Sequence, residues 1–208
     1  MTNTFPRTLA DKLAPGNSAL IVVDVQNDFC APDGVFGKAG SDLSMVEPMV
    51  ANLERLIQRA RAAQVPVIFI RSIYDPAYLP PTWHERNARI GFDTPRCVSG
   101  TWGADYYRVA PRAGDVVVTK HRFSAFTGTD LDLILRSQGI KTVVMTGIAT
   151  NICVDSTARA AFMSDYFVVV ADDACAAYNR AQHDATLVNI DVAFGVVHKA
   201  EDVIENWR

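Results

Sequence analysis

Apolar residues recur along this chain in two rhythms. Ala19-Leu20-Ile21-Val22-Val23-Asp24-Val25 is a continuous apolar run broken only by an acid near its end and preceded by the turn residues Pro15-Gly16-Asn17, which predicts a buried first strand. From Val46 the apolar positions Met49, Val50, Leu53, Leu56, Ile57 and Ala60 follow helical spacing, leaving Arg55, Arg59 and Arg61 for the wet side, and Pro48 suits the first turn. Val65-Pro66-Val67-Ile68-Phe69-Ile70 reads as a second strand with its proline at the entry. Residues 115–120, 140–146 and 166–170 read as three more. Between them come a short helix over 131–137, capped by Asp130 and stopped by Gly139, and a helix after Cys153 that turns Val154, Thr157, Ala158, Ala161 and Phe162 to the sheet. A last helix over about 180–192 leads to Gly195-Val196-Val197 and a C-terminal segment, 200–207.

Strands alternating with helical patterns predict an α/β fold with a parallel sheet and helices on both faces. Sites in such sheets form at the carboxyl ends of strands. Residues 71–114 break the rhythm with Pro76, Pro80, Pro81, Pro95 and Pro111 and the aromatic Trp83 and Trp102, and read as a long excursion serving as a lid or an oligomer contact.

Composition narrows the classes of function. With 208 residues, 49% of them hydrophobic, the chain is sized for one core and reads as a single domain over 1–208. A formal charge of −3 leaves no basic surplus for nucleic acid, which directs attention to small molecules. Cys30, Cys97, Cys153 and Cys175 stand far apart without a CxxC pair, so neither a zinc ribbon nor a disulfide framework is expected, and a reducing cytoplasm suits them. Residues 1–17 lack the apolar core of a signal peptide, and no apolar stretch approaches the ~20 residues of a membrane span, so no membrane contact is expected.

Three strand ends carry reactive side chains: Asp24, Lys120 and Cys153. Residues 147–150 read as the turn leaving the fourth strand, with Thr150 or Asn151 capping the next helix. Cys153 then falls in the first helical turn, where unpaired N–H groups and the helix dipole favour a thiolate. Taken singly, each has a plainer role: a turn acid, a solvated strand terminus, a core filler. Taken together, they bring a base, a cation and a thiol to strand ends that the fold sets side by side. Asp24 would take the thiol proton, Lys120 would hold the charge, and the backbone N–H groups of Ala149 and Cys153 would form an oxyanion hole. No G-x-S-x-G elbow occurs, and His84, His121, His183 and His198 form no HExxH or close pair, so neither a serine nucleophile nor a metal is expected. His121 reads as a packing or rim residue. No G-x-G-x-x-G follows the first strand, which sets a dinucleotide-binding module aside.

With Leu20-Ile21-Val22-Val23-Asp24-Val25-Gln26-Asn27-Asp28-Phe29, Val118-Thr119-Lys120 and Thr146-Gly147-Ile148-Ala149-Thr150-Asn151-Ile152-Cys153-Val154 in this order, the chain resembles the isochorismatase-like cysteine hydrolases over nearly its whole length. The resemblance implies a three-layer αβα fold with a largely parallel six-stranded sheet, an Asp24, Lys120, Cys153 triad and a cis peptide between Ile148 and Ala149. It also implies no cofactor and a homo-oligomer, dimer or tetramer. Arg71-Ser72-Ile73-Tyr74-Asp75-Pro76 lacks the Asp-x-His that nicotinamidases use for a metal, and Cys153 argues against isochorismate hydrolysis. The blocks around 100–104, 120–126 and 133–137 look most like ureidoacrylate amidohydrolases and biuret hydrolases, which cut a ureide C–N bond. A catalytically silent relative that binds a ligand or acts as a scaffold is the alternative, which the intact triad disfavours.

Around the triad, Phe29, Trp83, Trp102 and Phe123 are expected to wall a pocket, with Trp102 the best placed, and Ile148 to touch substrate. Gln26 would orient a substrate amide or buttress the Asp24 loop. Arg112, Arg122 and Arg180 are options for a substrate carboxylate, and Tyr178, Asn179 and Gln182 for substrate discrimination. Cys30, Cys97 and Cys175 lack the helix-start setting and are expected to be unreactive.

Overall fold

The computed structural model describes residues 5–14 and 16–207. Pro15, expected in the turn before the first strand, and residues 1–4 of the N-terminal stretch lie outside the described residues. The strands are β1 (Ser18–Val23), β2 (Val67–Ser72), β3 (Val116–Lys120), β4 (Thr142–Ile148), β5 (Phe167–Ala176) and β6 (Val196–His198). The helices, in chain order, are α1 (Leu9–Lys12), α2 (Asn27–Cys30), α3 (Val35–Lys38), α4 (Val46–Ala62), α5 (Pro81–Ile90), α6 (Leu131–Ser137), α7 (Asp155–Met163), α8 (Arg180–Ala193) and α9 (Ala200–Asn206).

The sheet runs β3-β2-β1-β4-β5-β6, and every neighbouring pair is parallel. β1 is central, with Ile21 opposite Ile68 on one side and Met145 on the other. The chain winds outward through β2 and β3 and then returns to lay β4 on the far side of β1. The strand order therefore reverses between β1 and β4, which opens a crevice at their carboxyl ends.

Alternation along each strand divides the core between two helical layers. Leu20, Val22, Phe69, Val144 and Val169 face α4 and α9, where Met49, Leu53, Leu56 and Trp207 meet them. Ala19, Ile21, Val23, Ile70, Met145 and Val170 face the opposite way, onto Leu131 and Leu135 of α6, Ala158 and Ala161 of α7 and Ile190 of α8. Strands buried on both faces read as unbroken apolar runs, and all six positions of β1 are buried. Full burial of an aliphatic side chain such as Leu53 or Leu56 contributes about 1.5–3 kcal/mol, so α4 is held by its apolar stripe.

Two local expectations change. Asp130 precedes α6, but its side chain makes no capping bond; the hydroxyl of Thr129 instead accepts the Leu131 N–H at 3.2 Å. Phe162, expected against the sheet, is half-exposed and meets the edge of Phe194, because the small Ala158 and Ala161 are what the close α7 packing admits. The excursion over 71–114 holds α5 and single 3₁₀ turns at Pro76–Tyr78 and Trp102–Ala104.

Gly147 adapts β4 to its neighbour beside the crevice. Its φ is +107°, and a Cβ there would lie 2.1 Å from the Val23 carbonyl oxygen of β1. Gly147→Ala is expected to destabilise the protein by about 3 kcal/mol, combining overpacking with a forbidden backbone region. A urea unfolding midpoint equal to that of the unchanged protein would contradict this account.

Candidate active site

β1 ends at Asp24, whose φ of +55° turns the chain in a conformation that Asp tolerates better than most residues. Its backbone N–H donates to the Ile70 carbonyl of β2 at 2.9 Å, fixing the corner to the sheet. Lys120 closes β3, two strands away, and its register partner on β2 is Ser72. The four-carbon stem of the lysine crosses above Ser72, bringing Nζ to 2.8 Å from Asp24 Oδ2. Both side chains are fully buried.

The lysine ammonium has three donors. It donates to the Ser72 hydroxyl at 2.9 Å, to the Arg122 carbonyl at 3.0 Å and to Cys153 Sγ at 3.5 Å. Asp24 Oδ2 meets the same ammonium as an ion pair. Burial alone would lower the Lys120 pKa, but attraction to Asp24 and Cys153 outweighs it and holds the ammonium charged far above its usual range.

Cys153 is delivered by an irregular turn. The Ile148–Ala149 peptide is cis, and residues Thr150–Val154 form a single wide π-helical turn before α7 begins. Neither Thr150 nor Asn151 caps a helix: the Thr150 hydroxyl bonds His183 Nδ1 at 2.8 Å, and Asn151 Nδ2 donates to Gln182 at 2.9 Å. The expected bias toward a thiolate is also reversed. Burial pushes the Cys153 thiol up to about 12, the Lys120 charge pulling against it and the Asp24 carboxylate adding to it. The balance keeps the proton on sulfur at neutral pH. Burial raises the thiols of Cys30, Cys97 and Cys175 as well, with Lys120 and Arg96 pulling against it at Cys97.

Cys153 lines a cavity of about 290 Å³. Phe29, Phe123, Ile148 and Ala149 line it too, together with Phe36, Tyr74, Ile90, Phe92, Ile152 and Tyr178. Trp83 stands behind this wall, 4.6 Å from the Tyr74 ring and 5.2 Å from Phe123. Trp102 does not take the place expected of it: it is 53% exposed and outside the cavity, because its own 3₁₀ turn faces outward while its carbonyl accepts Asn27 Nδ2. Gln26 is also outside. Its amide donates to the carbonyls of Ser72 and Ala104 and accepts the Ser72 N–H at 2.7 Å, so its polar atoms are spent bracing the Asp24 corner.

None of the three arginines expected to be available for a carboxylate lines the cavity. Arg112 is exposed beside β3, Arg122 donates to the carbonyls of Tyr78 and His121, and Arg180 pairs with Asp184 on the surface. Asn179 caps α8 through Gln182 N–H, and Gln182 binds Asn151. His121 packs on Tyr78 with ring centroids 3.6 Å apart. Among residues that the sequence left unmarked, Ser72 seats the lysine and Tyr74, Arg86, Phe92 and Arg96 supply wall. Ser72 and Tyr74 follow directly from a strand end, a positional signal available in the sequence; Arg86 and Arg96 carry none.

The isochorismatase domain family matches residues 18–202. The chain belongs to the isochorismatase family. A ureidoacrylate amidohydrolase from Pseudomonas syringae pv. syringae is 40% identical over 92% of this chain and 84% of its own length. Among solved structures, a cysteine hydrolase from Pseudomonas syringae pv. phaseolicola superposes with a TM-score of 0.82 at 28% identity, covering 100% of this chain and 98% of its own. An N-carbamoylsarcosine amidase from Thermoplasma acidophilum gives 0.72 at 29% identity, covering 89% and 97%. Among the described residues, no group of three or more His, Cys, Asp or Glu side chains is arranged to hold a metal, and no helix is long and apolar enough to cross a membrane.

Because the resting sulfur is protonated, its alkylation by iodoacetamide is expected to rise steadily between pH 7 and 9 without levelling. Mass spectrometry of Cys153 labelling against pH measures this, and a plateau below pH 8 would mean a thiolate at rest.

Proposed function

We propose that this isochorismatase-family chain is a metal-independent cysteine amidohydrolase that cleaves a C–N bond of a small linear ureide or amide: ureidoacrylate, biuret or an N-carbamoyl compound. The observation that carries the reading is the contact set at the cavity floor, where Cys153 Sγ lies 3.5 Å from a lysine that is itself 2.8 Å from Asp24. The names of two relatives, a ureidoacrylate amidohydrolase and an N-carbamoylsarcosine amidase, support the substrate class.

Sulfur attacks the ureide carbonyl as its proton passes to Asp24, and the backbone N–H groups of Ala149 and Cys153 receive the developing oxyanion. Collapse breaks the C–N bond, and Asp24 returns the proton to the leaving nitrogen. A water, deprotonated by the same carboxylate, then cleaves the acyl–sulfur bond and restores the thiol. Throughout, Lys120 balances charge beneath the cavity without transferring a proton. Phe29, Phe123 and Ile148 hold the substrate in surroundings that exclude water.

Ammonia release from a panel of biuret, ureidoacrylate, N-carbamoyl amino acids, nicotinamide and simple amides tests the reaction class. At least one ureide is expected to turn over, with a loss of about 10³-fold or more in Cys153→Ser and in Asp24→Asn. No release from any member, together with a Cys153 that resists alkylation, would replace this reading with a silent ligand-binding relative.

The same reading includes a cytoplasmic homo-oligomer, dimer or tetramer. Four free thiols suit a reducing compartment. Phe162 and Met163 of α7 and Val188 and Val192 of α8 leave apolar surface that a second copy would cover. Light scattering during gel filtration is expected to give a multiple of the chain mass, and a monomer at micromolar concentration would overturn the assembly.

A further inference from the structure

The charges lining the cavity above Cys153 are all of one sign. Arg86 and Arg96 line it, and no Asp or Glu does. Arg96 is only 5% exposed, and its guanidinium lies 5.2 Å from the ring centres of Trp83 and Phe92 and 5.9 Å from that of Tyr74. Its hydrogen bonds go to neutral acceptors, the Thr94 carbonyl at 3.2 Å and Asn87 Oδ1 at 3.5 Å. Arg86 shares that acceptor at 3.1 Å and lies over the Phe123 ring at 5.4 Å.

Among the described residues, neither guanidinium has a carboxylate within ion-pairing distance, whereas Arg55, Arg61, Arg89, Arg108, Arg136, Arg159 and Arg180 each do. A purely structural role accounts poorly for this. Aromatic faces solvate a guanidinium but do not neutralise it, and a buried cation without a counter-charge is costly. Burial accordingly pulls the Arg96 pKa down from its usual value. Both arginines come from the excursion, opposite the β4 turn that carries Cys153, and the intervening wall is mostly apolar. A carboxylate entering here loses water and gains charge-assisted, fork-shaped hydrogen bonding.

We infer that Arg86 and Arg96 form the anion subsite of this cavity and select a ureide that carries a carboxylate at the end remote from the scissile carbonyl. The ureide part rests on the reaction proposed above; the anion subsite rests on the charge lining alone. A ureido acid supplies the missing counter-charge, whereas neutral biuret leaves both cations unpaired. The assignment also gives the excursion a role in this chain's own pocket: it carries the groups that tell substrates apart, while the strand ends carry those that react.

The first arm of the test compares kcat/KM for a ureido acid, 3-ureidoacrylate or 3-ureidopropionate, with that for its primary amide. The unchanged protein is expected to favour the acid by about 10²-fold, and Arg96→Gln to collapse that preference toward unity mainly through KM, with Arg96→Lys restoring part of it. Arg86→Gln gives a second variant, at a half-exposed position, should Arg96→Gln fold poorly.

The second arm needs no substrate. The ratio of Cys153 alkylation rates by iodoacetate and iodoacetamide, normalised to free cysteine, is expected to exceed one and to fall at least tenfold in Arg96→Gln or Arg86→Gln. A panel in which no ureide is cleaved while this ratio shifts as expected would overturn the reaction proposed above and leave the anion subsite standing. Equal cleavage of acid and amide, with an alkylation ratio that neither substitution moves, would overturn the anion subsite and leave the amidohydrolase reading intact.

Discussion

The buried pairing of Lys120 with Asp24 is the constraint around which the rest of the site is arranged. Two full charges with no exposure are tolerated here because each meets the other and the lysine takes further hydrogen bonds, and removing either partner from such a pair costs about 3–5 kcal/mol. Meeting that requirement takes parts from three strands. β1 must end in a left-handed corner at Asp24, β3 must place Lys120 at its last position, and β2 between them must present Ser72 as a hydroxyl small enough for the lysine stem to pass over. Gln26 clamps the same point from beneath, through both the N–H and the carbonyl of Ser72. The parallel register is thus as much a part of the site as the side chains are.

That arrangement bears directly on the sulfur. The Lys120 ammonium offers Cys153 its charge and a long hydrogen bond at 3.5 Å, while burial and the adjacent carboxylate work against ionisation. Burial first, and that carboxylate second, favour the protonated thiol. A reactive cysteine held in this way is sheltered from casual oxidation, since thiolate character governs that chemistry. Above the sulfur, the walls are aromatic and aliphatic apart from Ser41 and the two arginines. The Lys120–Asp24 pair is closed off from solvent and the two arginines line the cavity, so the two sets of charge do not neutralise each other.

Much of the fold was legible in the sequence because it depends on local periodicity. The apolar runs at 19–25, 65–70 and 140–146 read as strands buried on both faces by their shortness and β-branched content, and the spacing from Val46 to Ala60 as a helix with one dry side. Strand ends follow from the same pattern, which is why Asp24 and Lys120 stood out before any geometry was known. The glycine in the Gly147-Ile148-Ala149 corner has a reason visible only across the sheet, in the Val23 carbonyl that a Cβ would strike.

What the sequence determined by itself was therefore the order of elements, the side each strand residue faces and the strand ends at which the reactive groups stand, since each depends on residues close together in the chain. Tertiary structure alone decided which polar residues face the cavity and which face one another. Of the two roles open to Gln26, its neighbours at residues 72 and 104 select the brace, and Trp102, expected in the pocket wall, is carried away by the outward turn at 102–104. Arg96 looked like any other loop arginine, yet Trp83, Phe92 and Tyr74 fold around it and turn its charge inward. Such environments are assembled from segments far apart in sequence, and no local pattern encodes them.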